Sequence, residues 1–229
     1  MAISPALYKK LNYDPVQDFE DIGLVAFQPN VLLSGPKIAA ASFQDLEKYL
    51  KANQASITFA NTGTGGASYL CAILLMNATQ LKFTSVPYRG TSQAMTDLLG
   101  GQVDLLCDSV ATATPLIRSG SVKAFGVTSA RRVPQLPDVP TLAEQGLEGF
   151  DMVNWTGVYA PKGTPAPTLV TIRSALSEVL ADPTFKSDLE RVGSSPFAPQ
   201  AGDEKALARY LDKEMKRWSF LRNVDLPPQ

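Results

Sequence analysis

The chain has 229 residues, 45% hydrophobic and 19% charged, which is the length and composition of a globular protein with its own core. Lys and Arg number 21 against 22 Asp and Glu, so there is no net basic field to attract nucleic acid or anionic lipid. The chain has no histidine and two cysteines, which excludes Ser-His-Asp and Cys-His catalysis, His-ligated metals and a Cys₄ zinc site. We therefore expect no metal and no other cofactor.

The N-terminus and the apolar runs predict neither export nor membrane insertion. The first ten residues lack the basic region and apolar stretch of a signal peptide. The longest apolar runs, such as Ala72–Met76, are far shorter than the roughly 20 residues that cross a bilayer. Taken literally, these features predict a chain that stays in the cytoplasm.

The middle of the chain alternates short apolar strands with helices. The first helix starts at Ser42, which forms a capping-box pattern with Asp45. The predicted strands are Ile22–Phe27, Ile57–Ala60, Phe83–Val86, Val103–Cys107 and Lys123–Thr128. Further helices are predicted at Ala67–Met76, Ser92–Leu99 and Thr112–Arg118. Alternation at this spacing predicts βαβ units and a parallel sheet.

The last third of the chain is predicted to be mostly helical after one extended crossing segment, Asp151–Ala160. Its helices are predicted at Pro167–Leu180, Pro183–Val192 and Asp203–Asn223. These helices need a sheet to pack on, but the first thirty residues offer only one candidate strand. We therefore predict a complete α/β lobe at 31–150. The other lobe, built from 1–30 and 151–229, is short of sheet.

A glycine-rich loop, Asn61–Gly66, lies between a predicted strand and a predicted helix. Glycines let the backbone approach a ligand, and a helix start supplies unpaired N–H groups and a positive dipole end. The candidate ligand-binding residues here are Thr62, Gly63, Thr64, Gly65 and Ser68. The loop lacks the Gly-Lys-Ser/Thr of a P-loop, and no acidic residue ends the next strand to hold a ribose, so a carboxylate suits it better than a nucleotide. A plain glycine-rich turn is an equally good interpretation.

Two more polar loops follow predicted strands, at Val86–Gly90 and Asp108–Thr112. In open α/β sheets ligands bind at the carboxyl ends of the strands, so the three loops predict one site wall. Tyr88 is a candidate to pack on the ligand and donate its hydroxyl, and Arg89 to offset a carboxylate, although a solvated charge is the more common role. Asp108 either caps the next helix, which is more common, or accepts a bond from a ligand or a bridging water.

Trp155 has two possible roles, whereas the two cysteines have a structural one. Trp155, in the crossing segment, either lines a cleft between lobes or packs in the core. Cys71 falls on an apolar helix face and Cys107 near a strand end, so we expect two buried, unreactive thiols and no disulfide.

Six sequence blocks cover nearly the whole chain in a fixed order: SPALYKKLNYDPVQDF (4–19), NTGTG (61–65), VPYRG (86–90), DLLGGQVD (97–104), LPDVPT (136–141) and WTGVYAPKGTP (155–165). Together they resemble the Bug or TctC-type solute-binding proteins, the extracytoplasmic receptors of tripartite tricarboxylate transporters. The blocks are long and correctly ordered, so the resemblance is highly specific.

The resemblance implies an α/β, type II periplasmic-binding-protein-like fold of two lobes that close on a small carboxylate or dicarboxylate, often through bridging waters. It implies that the loops at Thr62–Ser68, Tyr88–Gly90 and Asp108–Ser109, together with Asn154 and Trp155, face the ligand. The crossing at residues 26–29 would lie at the hinge. It also implies a periplasmic location and membrane transporter subunits as partners.

Family members carry a signal peptide and about seventy further residues before the segment that begins this chain. The resemblance therefore implies that the first lobe is incomplete here. The leading hypothesis is a receptor that captures a small carboxylate. An enzyme acting on an organic acid is disfavoured, because the sequence shows no histidine, no metal constellation and no clustered pair of acids suited to acid–base catalysis. The remaining alternative is a truncated, binding-deficient form that acts only as an interaction module and self-associates through the incomplete lobe.

Overall fold

In a computed structural model of the chain, residues 1–8, 10–54, 56–197 and 205–223 are described. The strands are β1 Phe19–Ser34, β2 Thr58–Asn61, β3 Thr84–Pro87, β4 Leu105–Ser109, β5 Lys123–Val127, β6 Val153–Pro161 and β7 Ser195–Pro196. The helices are α1 Ser4–Leu7, α2 Phe43–Asn53, α3 Ala67–Thr79, α4 Thr91–Leu99, α5 Val110–Arg118, α6 Ala166–Ala181, α7 Pro183–Arg191 and α8 Ala206–Trp218. A 3-10 helix follows at Ser219–Asn223. Among the described residues, no helix is both long enough and apolar enough to cross a bilayer.

The chain divides into two compact units. The central unit comprises Gln28–Asn154, and the terminal unit comprises residues 1–27 with the described residues from Trp155 onward. Strand β1 therefore begins in the terminal unit and ends in the central unit. The chain changes unit between Phe27 and Gln28, inside the segment that was expected to form the hinge.

The sheet of the central unit has the strand order β3-β2-β4-β1-β5. Strand β2 runs parallel to β3 and to β4, as the βαβ pattern predicts. Strand β1 lies between β4 and β5 and is antiparallel to both, so the prediction of a parallel sheet is wrong at this strand. The predicted strand Ile22–Phe27 is also too short. Val31, Leu32 and Leu33 are fully buried, and this apolar run continues β1 into the centre of the sheet.

Apolar side chains from the sheet and the flanking helices form the core of the central unit. Val31, Leu98, Leu106 and Val127 are fully buried in one cluster. The first helix of this unit starts as predicted, because Oγ of Ser42 accepts from the Asp45 amide at 3.1 Å and donates to the Asp45 carboxylate at 2.7 Å. This N-cap satisfies an N–H that the helix itself cannot pair.

The prediction of two free thiols is wrong, because Cys71 of α3 and Cys107 of β4 form a disulfide. Both residues are buried, and their Cα atoms lie 6.3 Å apart, within the range that a disulfide spans. Each cysteine was correctly assigned to an apolar element. The sequence pattern does not show that these two elements pack with the cysteines facing one another.

In the terminal unit, β6 and the short strand β7 pair with β1. Ile22, Ala160 and Leu169 form a small buried cluster. Helices α6 and α7 occur where they are predicted. The third predicted helix is observed as α8, and its predicted start at residues 203–204 lies outside the described residues.

Candidate ligand-binding site

Three polar loops of the central unit lie at one edge of its sheet. Because β2, β3 and β4 are parallel, their carboxyl ends share this edge, and Asn61 of β2 is in register with Pro87 of β3. Antiparallel β1 brings its Asn30 opposite Ser109 of β4 at the same edge. The topology thus brings together the loops that follow Asn61, Pro87 and Asp108, which is where a ligand is expected in an open α/β sheet.

The first loop connects β2 to α3 and holds its shape with its own polar groups. The Gly63 amide donates to Oδ1 of Asn61 at 2.9 Å, and the Thr62 amide donates to Oγ of Ser68 at 3.0 Å. The Thr62 and Ser68 hydroxyls are also paired, at 3.2 Å. Gly63 and Gly65 have φ angles of +86° and +83°, which L side chains rarely adopt, so both positions require glycine.

The N-terminus of α3 is the part of this loop that has free donor capacity. Its N-cap residue is Gly66, and no side chain caps the helix. The first N–H groups of any helix have no partner within the helix, so they remain available to an acceptor. Three backbone amides, those of Thr62, Gly63 and Gly66, already donate to acceptors in the loop or to Ser68. By contrast, the 13-residue helix α3 offers its first-turn amides and the positive end of its dipole.

The second loop, after β3, uses its tyrosine internally. The Tyr88 hydroxyl donates to Oδ2 of Asp97 in α4 at 2.7 Å, and the Tyr88 ring packs against the buried cluster of the central unit. Partial burial and the Asp97 carboxylate together raise the pKa of Tyr88 to about 12. The backbone amide of Tyr88 donates to the carbonyl of Asn61 at 2.8 Å, which ties this loop to the first one.

Arg89 is exposed, and its guanidinium forms no ion pair or hydrogen bond with any described residue. This is the arrangement of a solvated surface charge. It leaves the guanidinium free, and Arg89 is the one cationic side chain in the three loops Asn61–Gly66, Val86–Gly90 and Asp108–Thr112.

In the third loop, Ser109 rather than Asp108 caps the following helix. Oγ of Ser109 accepts from the Thr112 amide at 3.3 Å, so capping as the role of Asp108 is wrong. The buried Asp108 carboxylate instead accepts from the Ser109 amide and from the Thr112 hydroxyl, each at 2.8 Å. Burial raises the pKa of Asp108, and these two hydrogen bonds only partly oppose that effect.

Asn154 and Trp155 are neighbours in β6, but they belong to different units. Asn154 belongs to the central unit, where its Nδ2 lies 3.5 Å from Oδ1 of Asn30. Trp155 belongs to the terminal unit, where its half-buried ring contacts Tyr210 edge-on at 5.4 Å between centroids. The structure thus gives Trp155 a packing contact, and its role toward a ligand stays a prediction.

Asn30 is a candidate site residue that sequence reasoning missed. Its side chain is 2% exposed, yet Nδ2 finds no hydrogen-bond partner among the described residues. A buried amide donor without an acceptor is rare and points to a water or ligand that completes it. The only signal in the sequence is that a residue with an amide side chain stands between Pro29 and the apolar run Val31–Leu33.

Comparison with known proteins identifies the class of this chain. The TctC family model, described as "Tripartite tricarboxylate transporter family receptor", matches residues 1–224. The chain belongs to the TctC family. A curated relative, the "UPF0065 protein in the TAR-I ttuE-ttuC' intergenic region" of Agrobacterium vitis, is 38% identical over 217 residues. The match covers 95% of this chain and 63% of that relative, so this chain spans less than two-thirds of the relative's length.

Two solved structures of similar proteins share the fold. The periplasmic binding protein BugD is 39% identical with a TM-score of 0.86, and the match covers 100% of this chain and 76% of BugD. MatC (Rpa3494) of Rhodopseudomonas palustris, solved with bound malate, is 32% identical with a TM-score of 0.84. That match covers 96% of this chain and 75% of MatC. The predicted α/β fold of the periplasmic-binding type is confirmed, and the family is one of receptors rather than enzymes.

Proposed function

We propose that this TctC chain binds a small carboxylate or dicarboxylate in the periplasm and presents it to the membrane subunits of a tripartite tricarboxylate transporter. The observation that carries the proposal is the uncapped N-terminus of α3, which lies at the sheet edge beside two other polar loops. A carboxylate is the natural partner of such a helix end, because it accepts several N–H bonds and interacts favourably with the dipole. The bound malate of MatC supports this ligand class.

The donors at this edge suit a carboxylate better than a phosphorylated ligand. They are the first-turn amides of α3, the hydroxyl of Thr64 and Nδ2 of Asn30, with Arg89 as the nearby cation. Helix ends and neutral donors can hold one or two negative charges without a cluster of cations. The ionised carboxylate of the buried Asp108 would repel a ligand carboxylate. We therefore propose that a bridging water or a ligand hydroxyl faces Asp108.

Two observations support a periplasmic location. The similar protein BugD is a periplasmic binding protein. The Cys71–Cys107 disulfide is typical of proteins in oxidising compartments, of which the bacterial periplasm is one.

Calorimetric titration and thermal melts with malate, succinate, adipate and benzoate test the proposal. A ligand at about 100 times its Kd should raise the melting temperature by roughly 5–10 °C, because it binds only the native state. A chain that none of these acids stabilises, and that self-associates instead, would support the interaction-module alternative.

A pair of variants at Ala67, the first residue of α3, tests the role of the helix end. Ala67→Asp places a carboxylate where the ligand carboxylate is proposed, so malate affinity should fall by at least about tenfold while the helix itself is not weakened. Ala67→Asn has nearly the same shape and no charge, and its affinity should stay within about threefold of the parent. Equal affinities for both variants would place the ligand elsewhere.

A further inference from the structure

The disulfide of the central unit joins two elements that each adjoin a loop of the candidate site. Cys71 is three residues beyond Ser68 in α3, and Cys107 immediately precedes Asp108 in β4. Cys71 is fully buried and Cys107 is 1% exposed. The bridge therefore joins the helix that presents the first-turn amides to the strand that ends at the third loop.

Each cysteine lies within three residues of a side chain that holds one of the site loops in shape. On the α3 side, Ser68 accepts from the Thr62 amide at 3.0 Å and pairs with the Thr62 hydroxyl, so the first turn of α3 fixes the glycine-rich loop. On the β4 side, Asp108 accepts from the Ser109 amide and the Thr112 hydroxyl, each at 2.8 Å. A shift of α3 relative to β4 would separate these two groups of donors and acceptors.

We propose that the Cys71–Cys107 disulfide is a positioning crosslink of the binding site, which holds the N-terminus of α3 and the end of β4 at the spacing that the ligand needs. This inference rests on the proposed function. A preorganised site loses less conformational freedom when the ligand binds, so the crosslinked chain binds a small carboxylate more tightly than a chain with the same fold and no crosslink.

The crosslink forms by thiol–disulfide exchange with a donor disulfide. The two cysteine thiols release two protons and two electrons, a sulfur–sulfur bond forms between them, and the donor is reduced to two thiols. Because both sulfurs belong to buried residues, reductants reach them poorly in the folded protein. Variants that lack the cysteines are therefore a cleaner comparison than reduction of the native chain.

A crosslink that served only stability would change the melting temperature and leave the affinity of the folded protein unchanged. The bridge closes a loop of 36 residues, so its removal should lower the melting temperature by roughly 5–15 °C. Affinity measured well below that melting temperature separates the positioning role from the stabilising one.

The experiment compares the parent chain with Cys71→Ala, Cys107→Ala and the double variant, by titration with malate at a temperature where all are folded. We expect malate to bind about three- to tenfold more weakly to each of the three variants, with similar losses because any one of them removes the bridge. Leu46→Ala is the matched control. Leu46 is fully buried in α2, so its truncation should lower the melting temperature by a similar amount and leave the affinity unchanged.

The positioning role alone would be overturned by two reactive thiols in the unfolded, unreduced parent, or by parent-like affinity in the double variant. An equal loss of affinity in Leu46→Ala would also overturn it, since lower stability would then explain the effect. A parent that binds none of the acids would overturn the proposed function together with this role, which distinguishes the two failures.

Discussion

Asn30 and Thr128, 98 positions apart, are joined by reciprocal hydrogen bonds. The Asn30 amide donates to Oγ1 of Thr128 at 2.9 Å, and the Thr128 amide donates to the carbonyl of Asn30 at 2.8 Å. The Thr128 hydroxyl also bonds to the carbonyl of Met152, whose amide donates back to the carbonyl of Thr128 at 2.6 Å. One fully buried threonine thus holds both chain segments at the ends of the central unit, near Gln28 and near Asn154.

The first prediction concerns this threonine. Thr128→Val keeps the shape of the side chain but removes its hydroxyl. The backbone N–H of Asn30 and the backbone carbonyl of Met152 then lose that hydrogen-bond partner in a buried position. We expect the free energy of unfolding to fall by about 1–3 kcal/mol in urea denaturation. Thr128→Ser is the control, because it keeps the hydroxyl and loses one buried methyl, and should cost about 1 kcal/mol. A valine variant as stable as the parent would show that the hydroxyl contributes nothing.

The second prediction compares two buried asparagines at the same sheet edge. Asn61 is fully bonded, since its Nδ2 donates to Oγ of Ser85 at 2.7 Å and its Oδ1 accepts from the Gly63 amide at 2.9 Å. Nδ2 of Asn30 has no partner among the described residues. Asn61→Leu should therefore lower the free energy of unfolding by about 1–3 kcal/mol, whereas Asn30→Leu should change it by less than about 1 kcal/mol.

For Asn30 we expect a small effect on stability and a large effect on ligand affinity. If its Nδ2 is completed by the ligand or by a bridging water, Asn30→Leu should weaken malate binding by about tenfold or more, despite its near-parent stability. Denaturation and calorimetric titration of the same preparations measure both quantities. A large stability loss with unchanged affinity would assign Asn30 to the fold alone.

The parallel part of the central unit could be predicted from the sequence because its signals are local. The Ser42–Asp45 cap and the glycines of the loop before α3 specify helix and strand boundaries within a few residues of chain. Strand β1 was predicted too short because its second half has no alternation. Val31–Leu33 is an apolar run between two neighbouring strands, and periodicity alone does not identify such a buried strand.

The site was predictable at the level of loops and less so at the level of atoms. Parallel strands alternating with helices place the three loops at one edge, and this follows from topology. The partners of Tyr88 and Asp108, and the meeting of Cys71 with Cys107, depend on how helices pack on the sheet. Nothing in the spacing of these residues along the chain encodes those contacts.

The third prediction tests whether Tyr88 donates its hydroxyl to the ligand. In the structure that proton is used by Asp97, so Tyr88→Phe should cost about 0.5–1.5 kcal/mol of stability and leave malate affinity within about twofold. Asp97→Ala removes the same hydrogen bond from the other side, and the double variant should be no less stable than the weaker single variant. A tenfold loss of affinity in Tyr88→Phe alone would instead place the hydroxyl on the ligand.

The fourth prediction concerns the pH dependence that Asp108 imposes on stability. Burial raises the pKa of this carboxyl in the folded chain above its ordinary value. The folded state therefore holds the proton more tightly than the unfolded state does. Stability from this group is fully present below its unfolded pKa, near 3.9, and is lost as the pH rises through the folded pKa.

Asp108→Asn removes this titration and keeps the local hydrogen bonds. The amide oxygen can accept from the Ser109 amide, and the amide nitrogen can donate to the Thr112 hydroxyl, which also accepts. Measured by urea denaturation from pH 4 to pH 8, the stability of Asp108→Asn relative to the parent should increase with pH and then level off. Thr112→Val should have the opposite effect, because it removes a hydrogen bond that favours the ionised carboxylate, so its stability should fall more steeply with pH than that of the parent. If the parent and Asp108→Asn curves run parallel over this range, the Asp108 carboxyl has the same pKa in the folded and unfolded chains, and its burial is offset by the two hydrogen bonds it accepts.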